Sequence, residues 1–187
     1  MERRIVYFEG KGKVNTAETL RIARERTGEL GIRQVLVAST HGGTALQAAD
    51  VFQGTGVEVI AVSISAAFDE MGWSLTAGER ARLQARGIRV LTSAHALGDG
   101  IAEGFYGEST VGTLVANTLR WFSQGMKVAV EISLMAVEAG LVPAGAELIS
   151  VAGTDEGADT AVVIAPSFAR KVKDLSIREI LCKPRIG

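Results

Sequence analysis

Strand-like runs that are apolar at nearly every position recur along this chain with helical stretches between them, and few folds accept that pattern. "VEVIAVSI", Val57 to Ile64, is the plainest example. A strand with one wetted face alternates apolar and polar residues, whereas a strand apolar on both faces belongs in a parallel sheet covered by helices on each side. The other runs are Ile5 to Phe8, Gln34 to Ser39, Ile88 to Thr92, Lys127 to Ile132, Leu148 to Ala152 and Thr160 to Ala165. The expected architecture is a three-layer α/β/α sandwich around a mostly parallel sheet.

Helical signals fall between the strands. In "NTAETLRIARERTGELG", Leu20, Ala23 and Leu30 share one face, and Asn15 with Glu18 has the spacing of a capping box. Thr76 and Glu79 repeat that spacing ahead of a helix to about Arg86. Ser109 to Phe122 is expected to be a longer helix with Leu114, Leu119 and Phe122 turned inward, and another is expected over Leu134 to Ala139. Near the end, "ELISVAG" and "TAVVIAPS" flank the short glycine-bearing stretch "TDEGAD", which predicts a hairpin and at least one antiparallel strand. No repeat or linker divides the chain, and its prolines, Pro143, Pro166 and Pro184, sit at segment ends, so residues 1–187 are expected to form one domain.

Composition narrows the function. With 20 basic and 21 acidic residues the net charge is −1, so neither nucleic acid nor an anionic membrane is expected as a partner. One cysteine, Cys182, and two histidines, His41 and His95, make neither a disulfide framework nor a zinc cluster, and no metal is expected. The run in "MERRIVYFEG" is too short for a signal peptide core, and nothing approaches a membrane span, which makes the cytoplasm the expected location.

Chemistry concentrates in two loops. In "VLVASTHGGTALQAAD" a strand breaks at Gly42 and Gly43 and resumes as a helix, at the sheet edge where helix amino termini point free amides toward ligands. Two glycines allow the backbone to approach a phosphate, and Ser39, Thr40 and Thr44 add hydroxyl donors; the alternative is a plain strand-to-helix turn capped by Thr44. No lysine followed by Ser or Thr closes the loop, which excludes a Walker A motif, and neither "GTG" at Gly54 nor "GDGIAEG" at Gly98 has the dinucleotide spacing. The second loop, in "VAGTDEGADTAVVI", places Gly153, Thr154, Gly157, Asp159 and Thr160 about the hairpin turn, either as a solvated turn or as acceptors for polyol hydroxyls.

A strand followed by "STHGGTA", together with "ISVAGTDEGADTAVVIAP", resembles the carboxy-terminal domain of pyruvate kinase. Through "IVYFEGKGKVNTAETL", "GADTAVVI" and "EILCKPR", nearly the whole chain is similar to the stand-alone pyruvate kinase C-terminal-like proteins of archaea and bacteria. The resemblance implies a mixed sheet under helices, no pyruvate kinase active site, and a ligand pocket at Ser39, Thr40, His41, Gly42, Gly43 and Thr44, with Gly153, Thr154, Gly157, Asp159 and Thr160 closing over the ligand. It also implies flavin mononucleotide (FMN) as the cofactor, and neither loop carries the arginine or lysine that a second phosphate calls for. The reading is of a protein binding a small phosphorylated ligand. A phosphate-ester or flavin redox enzyme and a regulatory or sensing subunit without turnover are the alternatives, and apolar helix surface favours a homo-oligomer.

Four further residues carry open expectations. His41 is a candidate general base without a neighbouring carboxylate in sequence, and His95 either lines the pocket or caps a loop. Glu131 serves either the pocket or a buried ion pair, and Trp73, near Phe68, either stacks on a flat ring or covers a loop.

Overall fold

A computed structural model describes residues 2–98, 100–107 and 109–186. Among them seven strands, β1 (Val6–Phe8), β2 (Gln34–Ala38), β3 (Glu58–Ser63), β4 (Arg89–Thr92), β5 (Leu148–Ala152), β6 (Thr160–Ala165) and β7 (Ser176–Pro184), form one sheet in the order β1-β7-β6-β5-β2-β3-β4. Only β6 runs against the rest: β5 and β7 pair with it antiparallel, while the other pairings are parallel. The helices are α1 (Thr16–Leu30), α2 (Gly43–Val51), α3 (Ala77–Ala85), α4 (Ile101–Tyr106), α5 (Val111–Arg120) and α6 (Gln124–Glu138).

The period-two geometry of the strands divides their apolar side chains between two cores. Val35, Val37, Val59, Ala61, Ile149 and Val151 pack on one face with Leu20 and Ala23 of α1, Ala45 and Ala48 of α2, and Leu83 of α3. Leu36, Ile60, Val62, Leu148 and Ala152 pack on the other with Ala116 of α5 and most of α6. The central strands are therefore apolar throughout because both faces are covered, and the α/β/α sandwich follows.

Lys127 to Ile132, expected as a strand, is instead the first half of α6. Its alternating valines imitate a strand, but the helix continues for fifteen residues, and Lys127 and Glu131 stand four apart with Nζ and Oε2 bonded on one helical face. Ser123 starts the helix by accepting from the Met126 amide at 2.9 Å. The helix expected over Leu134 to Ala139 is its second half. Strand β7, where Cys182 lies, has no counterpart among the apolar runs, because its residues alternate with charge along "SIREILCKP".

Two smaller expectations also change. Asn15 makes no side-chain cap; its Nδ2 donates back to the Gly10 carbonyl at 2.9 Å, bracing the turn before α1, whereas Thr76 and Glu79 do form the capping box. Leu30 is exposed at the end of α1; Leu114 on α5 and Phe122 in the turn after it are exposed, while Thr113 and Ala116 face the core. Gly112 explains the reversal on α5: a Cβ there would stand 2.8 Å from the Leu97 carbonyl oxygen, so the helix is held close on its small-residue side. No helix among the described residues is long and apolar enough to cross a membrane.

Candidate functional site at the carboxyl edge of the sheet

The loop after β2 is held at both ends. The Ser39 amide donates to the Val62 carbonyl at 3.0 Å, and its Oγ accepts from the Ala45 amide at 3.2 Å. Gly42 is the N-cap of α2, at φ +84°, and a Cβ added to it would sit 3.1 Å from a methyl of Leu83; backbone and space both require glycine there. A glycine cap contributes no side-chain oxygen. Ser39 serves the third amide of the helix, and the amides of Gly43 and Thr44 open α2 without that help. Gly43 is exposed, Thr40 is half-buried and Thr44 is buried.

Tertiary structure adds a partner for His41. Its Nδ1 lies 3.4 Å from Glu79 Oε1, so the carboxylate that local sequence does not supply comes from the first turn of α3. The Thr76 amide and hydroxyl, which bond Glu79 Oε2 at 2.9 and 2.8 Å, hold the Glu79 carboxyl below the ordinary range, with His41 adding to the same effect.

Strands β3 and β4 send the chain to opposite faces of the sheet: α3 follows β3 onto the first core, and α5 and α6 follow β4 onto the second. Such a divergence opens a crevice at the carboxyl ends of two neighbouring parallel strands. Trp73 and Phe68, from the loop after β3, are stacked with ring centroids 6.2 Å apart, and His95, after β4, lies 5.5 Å from the Phe68 ring. Trp73 remains 52% exposed, leaving indole surface open. Arg80 brings a guanidinium to the end of β4, donating to Thr92 Oγ1 at 2.5 Å and to the Val90 carbonyl at 3.3 Å. Sequence patterns pointed to neither Arg80 nor the His41–Glu79 pair, because each depends on contacts made across the fold.

The second loop is on the same edge, since β2 and β5 pair with Val37 opposite Val151, but Asp159 and Thr160 face inward, while Asp155 and Glu156 at its tip are exposed. Asp159, fully buried, accepts from the amides of Gly12 at 2.8 Å and Thr154 at 3.2 Å and from Thr160 Oγ1 at 2.8 Å. Thr160 Oγ1 also lies 3.0 Å from Ser123 Oγ, at the start of α6, and the Ala158 amide donates to Thr16 Oγ1 at 2.9 Å. A Cβ on Gly157, at φ +77°, would meet Lys13 Cα at 2.6 Å. Gly153 is equally confined, since a Cβ there would stand 2.6 Å from the Gly157 carbonyl oxygen. The hairpin turn thus closes on the start of α1 and α6, and its glycines serve that packing.

Glu131 lies in a buried ion pair, its Oε2 on Lys127 Nζ and its Oε1 accepting from the Leu97 amide at 3.2 Å. Cys182 is buried in β7, which pushes its thiol pKa up to about 12. Among the described residues no group of three or more His, Cys, Asp or Glu could hold a metal ion.

No family model matches the sequence. Two crystal structures of pyruvate kinase from Cryptosporidium parvum are similar in fold to 81% and 84% of this chain, at 18% and 16% identity and TM-scores of 0.41 and 0.40. The same kinase in complex with ADP is similar over 90% of the chain at 16% identity and a TM-score of 0.40. O-ureido-L-serine synthase is similar over 60% of it, and over 30% of its own length, at 21% identity and a TM-score of 0.32. The chain spans 23%, 24% and 24% of the three kinase chains.

Proposed function

We propose that this protein binds a small phosphorylated ligand at the carboxyl ends of β2, β3 and β4, with FMN as the ligand of choice. The observation that carries the reading is the glycine cap of α2. A helix whose N-cap has no side chain, at the carboxyl end of a parallel strand, offers its first amides and the positive end of its dipole to an anion. In this reading the amides of Gly43 and Thr44 and the hydroxyl of Thr40 take one phosphate.

The rest of the edge fits a flavin. Neighbouring strands are about 4.8 Å apart, so the loops after β3 and β4 begin roughly 5 to 10 Å from the end of β2, a gap that a five-carbon polyol chain bridges. The exposed indole of Trp73 offers a plane for the ring, which when bound would supply redox chemistry. Ser39 holds the loop in shape, and Gly153, Thr154, Gly157, Asp159 and Thr160 form the wall beside it. The His41–Glu79 pair favours a second reading, acid–base work on a phosphate ester, since a carboxylate 3.4 Å from the imidazole orients it.

Fluorescence titration with FMN and riboflavin tests the proposal. FMN is expected to bind far more tightly than riboflavin; equal affinities would remove the phosphate from the reading.

A further inference from the structure

Helix α5 carries its apolar stripe on the wrong side for a monomer. Val111, Leu114, Val115 and Thr118 fall within an arc of about 100° at 100° per residue, and Trp121 and Phe122 follow in the turn that ends the helix. All are exposed, Val111 at 79%, Leu114 at 66% and Trp121 at 82%, whereas Thr113 and Ala116 on the opposite side are buried. Phe105, in the preceding α4, is exposed as well, at 82%.

We infer that this stripe is the two-fold interface of a homodimer, with α5 packed antiparallel against α5 of a second copy. Together these side chains present on the order of 800 Å², about what each partner of a stable interface buries. The stripe is also self-complementary. An antiparallel pair centred at Ala116 sets Val111 against Trp121 of the partner subunit and Leu114 against Thr118 of the partner subunit, large against small at each end. Thr118, the one polar residue of the stripe, donates its hydroxyl to the Leu114 carbonyl at 2.9 Å, so covering it strands no donor.

A lipid surface is the poorer occupant. Helices that lie on membranes carry lysine and arginine along the polar face, but α5 has Arg120 alone, bonded to Asn117 and Gln124 at 2.7 and 2.9 Å.

Sedimentation velocity on the purified chain from about 1 to 100 µM tests the inference. The parent protein is expected to be a dimer in this range. Leu114→Lys and Thr118→Glu, each at an exposed site, should keep the parent's circular dichroism and raise the dimer dissociation constant about a hundredfold. Mixing the two variants should restore association, because the lysine carried by one chain then meets the glutamate carried by the other. A monomeric parent, a variant that stays dimeric, failure of the mixture to associate, or recovery of the parent chain on anionic vesicles would each overturn it.

Discussion

The Gly12 amide donates to Asp159 Oδ2 at 2.8 Å, joining positions 147 residues apart and locking the turn before α1 to the hairpin between β5 and β6. The carboxylate is fully buried and takes two further bonds, from the Thr154 amide and the Thr160 hydroxyl. Asp159→Ala would leave two amides without an acceptor and is expected to cost about 3 kcal/mol. Urea denaturation measures this, and the loss should be the same with and without FMN if Asp159 supports the fold alone.

Gly43→Asp separates ligand binding from stability. A Cβ at Gly43 meets nothing within 4 Å, and an acidic residue in the first turn of α2 suits the helix dipole, so the variant should be at least as stable as the parent. A carboxylate about 4 Å from a phosphate repels it by roughly 4 kcal/mol at an intermediate dielectric, which weakens binding about a thousandfold. Thr40→Val, which removes the one hydroxyl placed on the phosphate, should lose only about 1 kcal/mol of binding. Ligand titration beside thermal melts decides, and parent-like affinity in folded Gly43→Asp would leave the turn as a helix start and nothing more.

The pair inside α6 should be strongly destabilising to break and far less so to replace. Glu131→Ala leaves a buried ammonium and the Leu97 amide unpaired, at a cost of about 3 kcal/mol or more. Lys127→Met combined with Glu131→Gln removes the buried charges and keeps an acceptor for Leu97, so the double variant should recover most of the loss in equilibrium unfolding.

The Glu79 carboxyl titrates below its ordinary range in the folded protein because the Thr76 amide and hydroxyl bond the charged form. A depressed carboxyl contributes stability that is present above its unfolded pKa and lost as pH falls through the folded one. Glu79→Gln should therefore unfold earlier in urea than the parent at pH 7, with the gap closing as the solution is acidified through the carboxylate range. Thr76→Ala removes the cap and should cost about 1 kcal/mol at neutral pH.

Much of the fold was legible in the residues themselves. A sheet covered on both faces needs strands without alternation, and the runs at Gln34, Val57, Leu148 and Thr160 carry that requirement in local sequence. Thr76 with Glu79, and glycines at a strand-to-helix turn, are likewise local because their bonds span three or four residues. Local pattern failed where a segment was buried on every side. The residues from Lys127 to Ile132 satisfy strand and helix alike, and only the space beside β5 and β6, which α6 fills, selects the helix. It failed again on α5, whose apolar stripe obeys helical periodicity while Gly112 and Ala116 allow the other side to pack closer. The partners of the side chains at the candidate site lay beyond its reach altogether. His41 meets Glu79, Arg80 meets Thr92, and Asp159 meets Gly12 because parallel strands carry their loops to one edge of the sheet, and that distance is set by strand order, to which a single stretch of chain has no access.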